Sequence, residues 1–326
     1  MPINNNLEPV ELPMPIRFGH KAKTDIKVLE DSLRVKLVDG PTEEQLLNYI
    51  PGYVNATWAE DVTEYERYSL EKKYESIVKM FKGKTLPSAL ETIRFTFLID
   101  GMTLQEVTHI IRHRNASFSA VCTGDRFMYN DDVFVPEAIK NSHEFYERYK
   151  ELAEKSKELY VDMVNSKEVS LMDARYAMPR SSSQAYYMSI SYKDIIGFIK
   201  QRIDRAVQPK SDNIIAYQMW LEMVKQIPLL AALDIIDFNQ PSWFFINTSR
   251  TGHSTNLYFP EEHNDKFEWN EEDFIYKKQR EDLKGTNDTA ISTFPEKLQY
   301  YINEVEKIKQ ECLENHPYEE ILRLYS

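Results

Sequence analysis

The chain is poor in glycine, in cysteine and in long apolar runs. Nine glycines among 326 residues argue against a dinucleotide fold built on Gly-rich phosphate loops. Its two cysteines, Cys122 and Cys312, are too few and too far apart for a disulfide framework or a zinc pattern. A reducing, cytoplasmic setting fits them. No apolar stretch approaches the ~18–20 residues that span a bilayer. The opening Met1-Pro2-Ile3-Asn4-Asn5-Asn6 lacks the charged start and apolar run of a signal peptide. Cations are also in the minority: 40 Lys plus Arg against 52 Asp plus Glu leave a net charge of −12. Such a chain has no general attraction to nucleic acid or to an anionic membrane, and neither is expected as a partner. Any phosphate group must be met by a local cluster of cations. What the chain does have is core material, because 42% hydrophobic and 12% aromatic residues exclude a disordered polymer.

The hydrophobic pattern switches between two periods. Residues 33–38 and 92–99 alternate, with Ile93, Phe95, Phe97 and Ile99 on one side of the second run, and both are expected as strands. Asp100-Gly101 is expected to turn the chain. Helical spacing marks 63–81 (Leu70, Tyr74, Ile77, Phe81), 141–165 (Phe145, Tyr149, Leu152, Leu159, Met163), about 192–206, and 212–226. Thr42 with Gln45, and Thr103 with Glu106, have capping-box spacing; Ser191 and Asp194 cap another start. Pro51-Gly52 is expected to end the Thr42 helix, and a further helical region runs from near Val169 to Pro179. Pro295 opens a last helix striped by Leu298, Ile302, Val305 and Ile308, read as packing on its own protomer rather than extending an oligomer contact. The segment 250–293 turns polar and loop-like. It divides a domain over 1–250 from a C-terminal extension over 251–326. The class is α+β, a mixed α/β fold with helix dominant.

Arginines carry the functional signal. Arg112-His113-Arg114 ends the Thr103 helix, followed by Asn115-Ala116-Ser117 and then Arg126 and Tyr129. Clustered guanidinium forks match phosphate geometry and outweigh an acidic background locally. Cations at a helix end equally complement the macrodipole. Arg202 lies on a helix whose apolar face is Ile195, Phe198, Ile199 and Ile203. A charge beside that face needs a partner or must snorkel to water. Arg175, just before Pro179, is a third candidate. Glu106, His109 and His113 share a helix face, but no further ligand follows at metal spacing, and no metal site is expected.

Taken in order, these positions resemble the flavin-dependent thymidylate synthase family. Arg112-His113-Arg114 with its Asn-Ala-Ser continuation is similar to the family's Arg-His-Arg signature. Ser88-Ala89-Leu90-Glu91 before the 93–97 strand, and Ala174-Arg175-Tyr176-Ala177-Met178-Pro179, resemble two further family motifs. Arg202 falls where the family has its essential arginine, with Gln208 shortly after. The resemblance covers about residues 50–230. It implies a protomer with a central sheet flanked by long helices, assembled as a homotetramer with sites shared between subunits. It also implies FAD as cofactor, methylene-tetrahydrofolate and NADPH as co-substrates, and dUMP as the nucleotide converted to dTMP. Carried over by position, Arg202 is the catalytic residue facing the pyrimidine. His109, Arg112, Cys122, Thr123, Gly124, Arg126 and Arg175 line the dUMP site, and Ser88, Arg112, His113, Arg114, Ser191 and Gly197 line the FAD site.

The chain departs from that pattern at several points. A family Glu is replaced within Ser119-Ala120-Val121-Cys122, with Asp125 the nearest substitute. Leu86 replaces a His, Ser191 and Gly197 replace two flavin-holding Asn, and His109 replaces a Gln. The phosphate and pyrimidine arginines persist while the flavin-side and folate-side polar groups change. Two other readings follow: a pyrimidine deoxynucleotide 5-hydroxymethylase, and a nucleotide-binding homologue without catalysis. Arg202→Ala is expected to abolish turnover while leaving the fold intact.

Overall fold

The computed structural model describes residues 24–56, 59–84, 88–121, 128, 132–203, 210–236, 238, 295–317 and 320–322. Its strands are β1 (Ile26–Val28), β2 (Arg34–Asp39), β3 (Arg94–Met102), β4 (Ser117–Ala120), β5 (Val133–Val135) and β6 (Gln184–Ser191). Its longer helices are α1 (Glu43–Asn55), α2 (Leu70–Phe81), α3 (Leu104–Ile110), α4 (His143–Ser166), α5 (Tyr192–Arg202), α6 (Lys210–Gln226) and α8 (Pro295–Asn315), with the short α7 (Leu229–Ala232) directly after α6. The architecture is mixed helix and sheet, as expected. Four strands form an antiparallel sheet in the order β2-β3-β6-β4, and β1 pairs in parallel with β5.

Alternation places the core on one side of this sheet. Phe95 pairs with Ile190, Phe97 with Met188, and Ile99 with Val35, and all six are buried. Helix α6 crosses this face and is buried on every side from Ser211 to Leu221. A helix so enclosed must satisfy its polar side chains inside the fold. Gln218 does so by imitating a neighbouring strand. Its Oε1 accepts from Val35 N at 2.9 Å and its Nε2 donates to Leu33 O at 3.1 Å. One turn on, Glu222 Oε2 accepts from Leu37 N at 3.5 Å. The exposed edge of β2 is thereby covered by two side chains of α6. Helix α8 packs on α6 and α7 through Leu298, Tyr301 and Val305, so it belongs to the same core.

Both Thr capping boxes form. Several other expectations change. Helix α1 runs through Pro51-Gly52 to Asn55. Pro51 forfeits one backbone bond, but it is buried with Leu46, Leu47 and Ile50. A Cβ at Gly52 would sit 2.9 Å from the Tyr65 ring, so the pair is a packing point and not a stop. The 63–81 region divides into a 3-10 turn (Glu64–Arg67) and α2, which Ser69 caps; Leu70 is exposed. Asp100-Gly101 does not turn the chain: β3 continues to Met102 through a register shift. Helix α5 ends at Arg202, and the region after Val169 is only Leu171–Ala174 and a 3-10 turn. On α4 the buried residues are Ala153, Lys157, Tyr160 and Val161. The expected stripe is split: Phe145, Leu152 and Leu159 face outward, exposed by 57%, 65% and 49%, while Tyr149 is half-buried and donates to Phe134 O, and Met163 packs on the satellite core cluster. The helix packs through a different face onto the 3-10 turn Arg175–Ala177. The Trp243–Phe245 run, Gln208 and the whole 250–293 segment lie outside the described residues.

Gly101 has φ of +84°, and a Cβ there would lie 3.0 Å from Ser32 O. Gly101→Ala is therefore expected to cost about 1–3 kcal/mol, read as a lowered urea midpoint with an unchanged slope.

Candidate active site

The site is assembled where three chain segments meet: the end of α3, the end of α5 and the start of α6. Thr103 and Glu106 set the first turn of α3, whose last turn carries His109 and runs into Arg112. Ser191 caps α5 through Asp194 N at 3.3 Å, and about 16 Å of helix carries the chain to Arg202. Three consecutive residues at the start of α6 then tie the segments together. Ser211 donates to Glu106 at 2.8 Å, Asp212 accepts from Arg202, and Asn213 Nδ2 donates to the Arg202 carbonyl at 2.6 Å.

Arg202 is the hub, with 7% of its side chain exposed. Its Nη1 donates to Asp212 Oδ2 at 3.0 Å, and its Nη2 donates to His109 O at 3.1 Å and to His113 Nε2 at 3.2 Å. The same Asp212 oxygen lies 3.1 Å from His109 Nδ1. Asp212 has no exposed side-chain surface. Its place in the first turn of α6 puts the carboxylate at the positive end of the helix dipole. Burial drives the Arg202 pKa down, Asp212 opposes that shift, and the charge of Arg112 adds to it. Because a guanidinium only donates, His113 Nε2 must accept and its proton must sit on Nδ1. Burial, and then the neighbouring Arg202 charge, lower the His113 pKa to about 4. The ring stands edge-on to Phe198 with centroids 4.6 Å apart.

A family model described as "Thymidylate synthase complementing protein" matches residues 42–229, more than half of the 326. Flavin-dependent thymidylate synthases match over much of the same length. The one from Pyrococcus furiosus is 28% identical over 176 residues, covering 52% of this chain and 70% of the relative. The one from Thermococcus onnurineus is 26% identical over 202 residues, covering 60% and 81%. The chain belongs to this family of flavin-dependent thymidylate synthases. A UMP/dUMP methylase from Streptomyces cacaoi, solved with 5-bromo-dUMP bound, shares the fold. Its TM-score is 0.51 at 19% identity, covering 63% of this chain and 94% of that one.

The structure gathers some of the residues that the family resemblance singles out and separates others. Arg202, His109 and His113 share one network, with Arg112 beside it. Arg175 sits instead by the satellite cluster of Met128, Tyr160, Val161, Ala174 and Met178, its guanidinium 5.9 Å from the Tyr176 ring centroid. Ser88 opens the short helix Ser88–Glu91, which packs on α5. Cys122, Thr123, Gly124, Asp125, Arg126 and Leu86 lie outside the described residues. Asp212 was not singled out from the sequence, although a carboxylate two residues before Ile214 on a wholly buried helix is the signal that finds it.

The side chains present fit a flavin cofactor at its phosphates. Arg112 and Arg114 are exposed, and neither side chain makes a hydrogen bond among the described residues. Nothing lies within 4 Å of a Cβ built on Gly197, so α5 offers an open cradle there. Two other residues assigned to flavin are already engaged: His113 by Arg202, and Ser191 by Asp194. Among the described residues no group of His, Cys, Asp and Glu is placed to hold a metal. Glu106 is committed to Thr103 and Ser211, and His109 to Asp212.

The expectation that Arg202→Ala leaves the fold intact is revised, because the variant strands a buried carboxylate. Arg202→Ala and Asp212→Ala are each expected to cost about 3–5 kcal/mol, checked by chemical denaturation. His113 gives a second prediction. Below pH 6.5 the unfolded chain takes up a proton that the folded protein refuses until about pH 4. Its contribution to stability is thus whole above pH 6.5 and is lost as pH falls toward 4. His113→Gln should flatten the stability profile across that window, and an undiminished slope would contradict the assignment.

Proposed function

We propose that the chain transfers a one-carbon unit from methylene-tetrahydrofolate to C5 of dUMP, giving dTMP, with FAD as cofactor and NADPH as reductant. The observation that carries this reading is the tie between Arg202 and the Arg112–Arg114 turn, within the region matched to the family. Arg112 and Arg114, exposed on that turn, would hold the flavin phosphates, with Gly197 leaving room beside α5. When bound, the flavin supplies the hydride that completes the methyl group. Arg202 would stabilise negative charge developing on N3 and O2 of the pyrimidine, its guanidinium preorganised by Asp212, His109 and His113. Preorganisation matters because no reorientation is then needed as charge builds up. Arg175, with Arg126, would hold the nucleotide phosphate or sugar.

Arg175 and Arg202 adjoin different core clusters of one protomer, Arg175 beside Ala174 and Ala177, Arg202 beside Phe198 and Ile199. The homotetramer reading accommodates this, because a shared site draws its parts from more than one subunit. The exposed Phe145, Leu152 and Leu159 stripe supports such contacts, since apolar surface of this kind marks interfaces. The unit carrying the chemistry is residues 1–250, with α8 as a buttress from the 251–326 extension. Among the described residues no helix is long and apolar enough to cross a membrane.

The engaged state of His113 and Ser191 favours one alternative, a nucleotide binder that does not use flavin. The altered folate side leaves room for another, capture of the exocyclic methylene by water to give a hydroxymethyl product. A single-turnover assay separates the three. Dithionite-reduced protein with added FAD is mixed with methylene-tetrahydrofolate and dUMP or dCMP, and the products are read by mass spectrometry. A methyl product on dUMP is expected. A hydroxymethyl product would select the 5-hydroxymethylase, and tight nucleotide binding without product would select the non-catalytic homologue. Arg175→Ala should weaken dUMP binding about tenfold or more, and unchanged affinity in calorimetry would remove it from the nucleotide site.

A further inference from the structure

Resting on the reading that a pyrimidine nucleotide binds at Arg202, we propose that His109 is the proton-accepting group of this site, with Asp212 as its positioning residue. The two histidines of the network are not equivalent. His113 has its Nε2 occupied by Arg202 and its ring against Phe198. His109 turns Nδ1 to Asp212 at 3.1 Å, and its Nε2 makes no hydrogen bond among the described residues. A quarter of the His109 side chain is exposed, while none of the Asp212 side chain is. A buried carboxylate behind an accessible imidazole fixes the tautomer with Nδ1–H facing inward and leaves the Nε2 lone pair facing outward. Among the described residues, the other carboxylates nearby are taken. Glu106 is held by Thr103 and Ser211, and Asp194 by Ser191 and Asn115.

Among the described residues, the charged or titratable groups around His109 are Arg202 from α5, Asp212 from α6, and Arg112 and His113 from the end of its own helix, with Glu106 one turn before. Asp212 is the one that meets the imidazole ring itself, since Arg202 reaches only the His109 backbone carbonyl. A proton taken up at Nε2 is therefore balanced across the ring by a carboxylate at hydrogen-bond distance.

The proposed chemistry needs such a group. When C5 of the base gains a carbon–carbon bond to a unit supplied by a folate-class donor, that carbon still holds its original hydrogen. The C5–H bond then breaks, its electron pair restores the ring double bond, and the proton passes to Nε2. The imidazolium so formed donates Nδ1–H to Asp212. A glutamine side chain at this position can hydrogen-bond but cannot carry the proton.

The test uses the full chain with FAD, methylene-tetrahydrofolate and dUMP tritiated at C5, following tritium release to water. His109→Gln is expected to bind dUMP within about threefold of wild type by calorimetry, yet to release tritium about 10²–10³-fold more slowly. His109→Ala should be partly rescued by added imidazole. Imidazole 15N spectra of the unliganded protein, assigned by the loss of one signal in His109→Gln, should show the Nδ1–H tautomer at His109 and its disappearance in Asp212→Asn. Wild-type tritium release from a His109→Gln variant that binds dUMP would overturn the proposal, as would an Nε2–H tautomer in the wild type. A wild-type protein that binds dUMP but never releases tritium would instead bring down the one-carbon-transfer reading, and the proton-transfer role with it.

Discussion

The buried pairing of Arg202 with Asp212 is the constraint around which the rest of this structure is arranged. Neither charge has appreciable contact with water, so each is tolerable only in the presence of the other. Their pairing fixes the end of α5 against the start of α6. Because Arg202 also holds the His109 carbonyl and His113 Nε2, it fixes the end of α3 as well. Carbonyls near the ends of α3 and α5, which need partners, are met by this cluster: Arg202 donates to the His109 carbonyl and Asn213 to that of Arg202. The arginine proposed here for the chemistry is also a structural member. Separating those two roles by mutation requires a change that keeps Asp212 paired.

The family pattern is retained unevenly, and the structure gives the unevenness a physical form. The cationic turn stays exposed at Arg112 and Arg114, where a polyanion meets it without desolvating anything first. Ser191, at a flavin-side position, has become a helix cap, a use that competes with any ligand for the same hydroxyl. Gly197 leaves a space where a larger side chain would have reached out from α5. On the proposed reading, such a chain would meet the charged ends of its ligands with exposed guanidinium groups and the middle of them through shape.

Much of this was legible beforehand, and the failures have identifiable causes. The core face of β3 and both Thr capping boxes follow from local spacing, because the periods of strands and helices are set by the backbone alone. The outward stripe of α4 did not follow. A helix with apolar residues on more than one side offers two faces, and which one is buried depends on what lies opposite. Pro51-Gly52 reads locally as a stop, but tertiary burial outweighed the lost backbone bond. Strand β6 was missed because its run Tyr186-Tyr187-Met188 interrupts the alternation at the residue that faces away from the core. In the site, the arginines and His113 were identifiable by motif. Asp212 was not, since its importance lies in a contact across ten residues of sequence with Arg202 and more than a hundred with His109.

Gln218 and Glu222 have a consequence beyond the stability of α6. By occupying the backbone groups of Leu33, Val35 and Leu37, they close the sheet at β2 as a fifth strand would. The opposite edge is β4, only four residues long. Strand-by-strand augmentation, the route by which many sheets recruit a neighbour or a peptide, is shut along the longer edge. Among the described residues, the edges left open to a partner strand are short: those of β4 and of the three-residue strands β1 and β5. An extended peptide finds no rail along β2 on which to run.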